Sequence, residues 1–223
     1  MSSKLPLFLV LGGSLVATPV SAVVAISNLG KGDAGAFQSG QVSFGATGGM
    51  LFTVGGTSMN LDSITVRFVD VSSSSQTLTV GLYATSAGLP TGSALFTDFT
   101  LLGTLGSGNN TFDAFSNFTL EANTTYAFTV HGSQGLTWGV QQQSAGVDDG
   151  ALAGWAMEDP VQSFNGGASW QLVGAEGAFF ASGQIDVSPV PEPHEYALVF
   201  GLGLVGFAFW RRRQNQPASV PVP

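Results

Sequence analysis

The 223-residue sequence predicts an all-β domain, an antiparallel two-sheet sandwich of jelly-roll type, with an N-terminal signal peptide before it and one C-terminal transmembrane sorting helix after it. Three observations predict this arrangement. Between residues 23 and 188 the apolar residues recur with a period of two and almost nowhere with a period of 3.6, the pattern of strands buried on one face. Glycine, serine and asparagine collect between those runs, as they do in turns. A continuous apolar stretch lies at each end of the chain, outside the alternating region.

The N-terminal element is read from Lys4, the apolar residues 5–16, and Val20-Ser21-Ala22 with its small residues. This is the composition of a secretory signal peptide, residues 1–22, cut after Ala22. The following domain is therefore expected outside the cytoplasm. The chain has no cysteine, so no disulfide supports that domain and its stability must come from core burial.

Residues 23–188 are enough for one domain with a sizeable core. Leu61, Ile64, Val66 and Phe68 lead one strand; Leu78, Val80 and Leu82 alternate with Thr77, Thr79 and Gly81; Tyr126, Phe128 and Val130 alternate with Ala127 and Thr129. Further strands are predicted around residues 23–27, 42–44, 50–54, 94–100, 111–118, 136–140, 151–155, 170–173 and 179–187. Turns are predicted at residues 55–58, 72–75, 88–92, 106–110 and 166–167. Many short strands, Gly-rich turns and no long helix in this region argue for a sandwich.

The C-terminal element, residues 189–213, combines Pro191-Glu192-Pro193, an apolar run over residues 196–210, and Arg211-Arg212-Arg213. Hydrocarbon favours such a run as helix, and the positive-inside bias keeps the arginines cytoplasmic. At ~1.5 Å per residue the run is shorter than the ~30 Å hydrocarbon core, so spanning requires Tyr196 and Trp210 at the interfaces and snorkelling arginines. Gly201 to Gly206 spells G-x-G-x-x-G, but no strand precedes it and no acid follows, so it is not a nucleotide site. Residues 214–223 form a polar, Pro-rich tail.

This ordered end resembles the PEP-CTERM sorting signal of bacterial surface proteins. The resemblance implies recognition by an exosortase-like membrane protease, cleavage near Pro191, Glu192 and Pro193, and transient retention in the inner membrane before release to the cell surface or matrix. Ile26-Ser27-Asn28-Leu29, residues 78–84 followed by Gly88-Leu89-Pro90-Thr91-Gly92, and residues 120–126 resemble the choice-of-anchor R type domains. That second resemblance implies an exported β-sandwich displayed on an anchor, and no ligand.

The chemistry available to the domain is narrow. Its twelve acids face only Lys31 and Arg67, which excludes nucleic acid as a partner because a polyanion would be repelled. His131 is its only histidine; a Cys-His pair is impossible, and a zinc site would need two carboxylates beside one imidazole. No G-x-S-x-G elbow is present. Asp148-Asp149-Gly150 is the candidate for one structural calcium, and no other cofactor is expected. Trp138, Trp155 and Trp170 are candidates for stacking on a sugar ring, beside amides such as Gln141 and Gln142, against the competing role of filling the core. The expected function is that of an exported, non-catalytic surface or matrix protein associated with exopolysaccharide or biofilm. The alternative is a carbohydrate-binding module or a secreted carbohydrate-active enzyme, with carboxylates drawn from Asp148, Asp149, Glu158 and Asp159.

Overall fold

Alternation along the chain sends every second side chain to one interior, and two antiparallel sheets close over it. The structure is a computed structural model that describes residues 21–31, 41–42, 47–133, 136–142, 152–173, 179–190 and 193–214. In chain order its strands are Val23–Ser27 (β1), Gln41–Val42 (β2), Thr47–Thr53 (β3), Met59–Val71 (β4), Leu78–Ser86 (β5), Leu89–Phe96 (β6), Phe99–Leu101 (β7), Gly108–Leu120 (β8), Thr125–Gly132 (β9), Leu136–Trp138 (β10), Val140–Gln142 (β11), Ala156–Met157 (β12), Val161–Ser163 (β13), Gln171–Leu172 (β14), Phe179–Ala181 (β15) and Gly183–Pro189 (β16). One helix, α1, covers Pro193–Gln214.

The first sheet is built on β4, which is long enough to hold different partners along its length. One edge of β4 pairs with β8, which carries β7 outside it. Its other edge pairs first with β16, which holds β1, and then with β10, which holds β2. The second sheet runs β14-β13-β3-β9-β5-β6, with β12 beside β3. A two-stranded ribbon, β11 with β15, completes the set.

Phe128 on β9 is the centre of the core. Its ring meets Phe99 at 5.2 Å, Phe112 at 5.6 Å and Trp138 at 6.4 Å, so one residue of the second sheet touches three strands of the first. Phe52, Phe68, Phe112 and Phe128 are fully buried, each contributing about 1.5–3 kcal/mol by leaving water. The corner before β9 is held by Tyr126, whose phenolic oxygen accepts the Glu121 N–H at 3.0 Å. A tyrosine bonded to backbone just upstream is a corner device of Greek-key sandwiches. Burial raises the Tyr126 pKa above the usual phenol value, the Glu121 bond opposing it.

Three predicted strands are each cut in two: the run 94–100 breaks after Phe96, its halves lying in β6 and β7. The runs 136–140 and 179–187 break at Gly139 and Ser182, where Ser182 N–H donates to Gly139 O and Gly139 N–H donates to Arg67 O, both at 2.8 Å. Both chains swivel there, from the first sheet into the ribbon. The Trp138 indole N–H donates to Ser182 O at 3.3 Å and pins the crossing.

Other departures have local causes. Residues 152–155 form a turn rather than a strand, and β13 was not anticipated because Val161-Gln162-Ser163 is too short to show an alternation. The hairpin expected to turn at residues 88–92 turns at Ala87-Gly88, both with positive φ, so Pro90 lies in β6. Pro90 is tolerated there because β6 is an edge strand. The turn expected at residues 106–110 ends early, and Asn109 and Asn110 belong to β8; the Asn110 amide donates to Gly106 O at 2.7 Å and to Gly108 O at 2.9 Å.

The helix at the end forms, but its expected role as a membrane span is corrected. Among the described residues no helix is long and apolar enough to cross a membrane. The apolar run stops at Trp210 before the arginines and is preceded by His194 and Glu195, so the polar ends take up too much of the helix.

Candidate functional site

The outward face of the second sheet carries two shallow grooves. The registers that send Leu82, Phe128 and Val130 inward send Thr79, Gly81 and Tyr83 of β5 and Thr129 and His131 of β9 outward. A small second apolar cluster forms on this face from Leu51, Ala127 and Val161, with Tyr83, Leu89, Trp170 and Leu172 packed against it. Trp170 reaches the face because the segment joining β13 to β14 folds back over it.

That segment is held by its own side chains. The Ser163 hydroxyl donates to Asn165 Oδ1 at 2.8 Å and accepts the Gly167 N–H at 2.8 Å. Asn165 Oδ1 also accepts the Ser169 N–H at 2.9 Å, while its amide donates to the Ser169 hydroxyl at 2.8 Å. Trp170 is thereby presented from a closed loop of hydrogen bonds rather than from a free tip.

Two grooves flank Trp170. One, of about 150 Å³, lies between Trp170, Tyr83 and His131, with Thr47 and Thr79 at its sides. The Tyr83 and Trp170 rings are 6.3 Å apart and inclined by 58°, and Thr47 Oγ1 and His131 Nδ1 lie 3.3 Å apart in a hydrogen bond. Gly81 is required in this wall: a Cβ there would lie 2.9 Å from the Tyr83 ring and 3.3 Å from Ala94. The other groove, of about 140 Å³, is bounded by Trp170, Phe164, Gln162 and Gln171. Among the described residues neither groove is lined by a carboxylate, a lysine or an arginine. The surface offers aromatic rings, hydroxyls and amides, which suits an uncharged ligand with polar edges.

Of the three tryptophans expected to stack on a sugar, two are corrected. Trp138 and Trp155 are only 3% and 8% exposed; Trp138 packs edge-on to Phe68 and Trp155 lies parallel to Phe52 at 6.2 Å. Their alternation period placed them on strands but could not say which face turned inward. Trp170 alone remains partly open. Tyr83 and Phe164 were missed, although Tyr83 continues the outward register of Thr79 and Gly81.

The acidic candidates divide. Asp148 and Asp149 lie outside the described residues, as do Pro191 and Glu192. Glu158 accepts a part-buried hydrogen bond from the Thr53 hydroxyl at 2.9 Å. Among the described residues no group of three His, Asp or Glu side chains could hold a metal ion. Asp62, Asp113 and Asp186 do approach one another on the first sheet, where β4 bulges at Asp62. Burial raises the Asp62 pKa above the usual carboxylate range; the Ser188 hydrogen bond, 3.0 Å, opposes this, and Asp186 and Asp113 add to it by repulsion.

Of the terminal candidates, Ala22 is exposed just before β1, Pro193 opens α1, and Arg211, Arg212 and Arg213 lie in its last turns. Leu202, Leu204, Val205, Phe207, Phe209 and Trp210 are all more than half exposed. They occupy every side of the helix. Compared with known proteins, the chain matches no family model, and no curated protein matches it.

Proposed function

We propose that this chain is an exported, non-catalytic surface or extracellular-matrix protein, delivered by a PEP-CTERM-like signal at its C-terminus and associated with exopolysaccharide. The observation that carries this reading is α1. A helix that is apolar all round belongs in an apolar environment, either a protein core or a bilayer, and the exposed Leu204, Phe207 and Phe209 have no protein surface over them. A bilayer, entered without crossing it and with Arg211 to Arg213 held among the headgroups, is the environment that the arginines favour. A segment short of a full span suits temporary holding, followed by processing near Pro191, Glu192 and Pro193 by an exosortase-like protease. The signal peptide, residues 1–22, delivers the domain across the membrane.

The test is intact mass and fractionation of the protein from its native host, with residues 191–193 either intact or replaced by alanine. Loss of residues 1–22 and of everything beyond about residue 193, abolished in the alanine variant, is the expected result. An unprocessed chain, soluble in the cytoplasm, would overturn it.

A further inference from the structure

We propose that the outer face of the second sheet, from Tyr83 across Trp170 to Phe164, is a two-subsite binding cleft for a neutral polysaccharide. The assignment of ligand class rests on the matrix reading above; the location rests on geometry alone.

Three features point to a sugar polymer. First, Trp170 borders both grooves, so a single indole separates two cavities of similar size, about 150 and 140 Å³. Each is smaller than the ~300–1,000 Å³ of a drug-sized site and suits one sugar ring, and together they read a repeating chain. Second, each groove pairs Trp170 with another aromatic, Tyr83 in one and Phe164 in the other, while short polar groups fill the remaining walls: Thr79 and His131 in the first, Gln162 and Gln171 in the second. A pyranose has an apolar face for the rings and equatorial hydroxyls for the hydroxyl, imidazole and amide groups. Third, the Ser163, Asn165 and Ser169 hydrogen bonds fix the Trp170 segment before any ligand arrives, which reduces the ordering cost of binding.

The charge selects within the class. Among the described residues no cation lines either groove, and the domain's acids greatly outnumber Lys31 and Arg67, so a uronic-acid polymer is repelled and a neutral one is not.

The experiment is native affinity electrophoresis of the full chain, in a detergent without a sugar headgroup, through gels containing galactomannan, hydroxyethylcellulose, xyloglucan or alginate. Retardation by at least one neutral polymer and none by alginate is expected. Trp170→Phe, Phe164→Ala and Thr79→Val should each weaken that retardation roughly threefold or more, the yield of one aromatic contact or one hydrogen bond. Phe164 is 60% exposed and Thr79 is exposed, so these two variants keep the thermal midpoint and separate lost binding from lost folding. Mobility unchanged by every neutral polymer, retardation indifferent to all three substitutions, or preference for alginate would each overturn the proposal. Because purified protein is used, absence of binding leaves the sorting reading intact, and a failure of processing in the host leaves the cleft intact.

Discussion

Asn28 and Gly183, 155 positions apart, are joined by two hydrogen bonds: Asn28 N–H donates to Gly183 O at 3.1 Å, and Gly183 N–H donates to Asn28 Oδ1 at 2.8 Å. The Asn28 amide also donates to Ala181 O at 2.9 Å. One fully buried side chain thus satisfies backbone groups on both sides of Ser182, where the strand changes sheet. Replacing Asn28 by alanine leaves a buried N–H and a buried C=O without partners, at about 1–3 kcal/mol for each. Urea unfolding of Asn28→Ala should show a midpoint lowered by an amount worth ~3 kcal/mol with the slope unchanged; a shift below ~1 kcal/mol would mean that water replaces the amide.

The β5–β6 hairpin offers the opposite sign. Its two turn residues, Ala87 and Gly88, have φ of 49° and 72°, the left-handed pair of a type I′ turn, in which asparagine and glycine are preferred. Alanine pays a steric penalty there that asparagine and glycine largely avoid. Ala87→Asn should stabilise the domain by about 0.5–1 kcal/mol and raise the thermal midpoint by roughly 2–3 °C; an unchanged or lower midpoint in a thermal scan counts against the strain.

Asp62 supplies a pH test. Its raised pKa means that the folded state holds the proton more tightly than the unfolded chain, so ionisation of Asp62 lowers stability. That loss is absent below the ordinary aspartate range and complete above the raised value. The thermal midpoint of Asp62→Asn relative to the parent should therefore be highest at pH 7 and should fall as the pH is lowered to about 3.5. A difference that is constant with pH, or that grows on acidification, would contradict the assigned direction.

The exposed helix makes a simpler prediction. Leu204 is 69% exposed and belongs to neither core cluster, so Leu204→Lys should leave the unfolding midpoint of the β-domain within ~0.5 kcal/mol of the parent. The same substitution should sharply reduce partition of the chain into detergent or vesicles. A large loss of domain stability would show that α1 packs on the sandwich.

The sequence was most legible where one face of a strand is buried and the other is not. The alternations through Leu78, Val80 and Leu82 and through Tyr126, Phe128 and Val130 located β5 and β9 with their inner faces correctly assigned. Legibility failed where a strand is stopped by tertiary geometry: nothing in the residues around Gly139 and Ser182 announces a swivel, because its cause is the bonding of each to the other and to Arg67. The site was half legible. Trp170 was singled out with Trp138 and Trp155, since indoles look alike in a sequence, and only the fold could bury two and leave the third beside Tyr83.

The position of β16 has a consequence for how the molecule is made. This last strand lies inside its sheet, between β1 and β4, and not at an edge. A chain emerging from its N-terminus therefore waits with β1 and β4 unjoined until residues 183–189 arrive, a closure of high sequence separation and so a late one. The helix begins at Pro193, a few residues past the end of that strand. Completion of the sandwich and arrival of the apolar helix are thereby nearly simultaneous, and a ribosome that stalls earlier holds two halves of an open sheet.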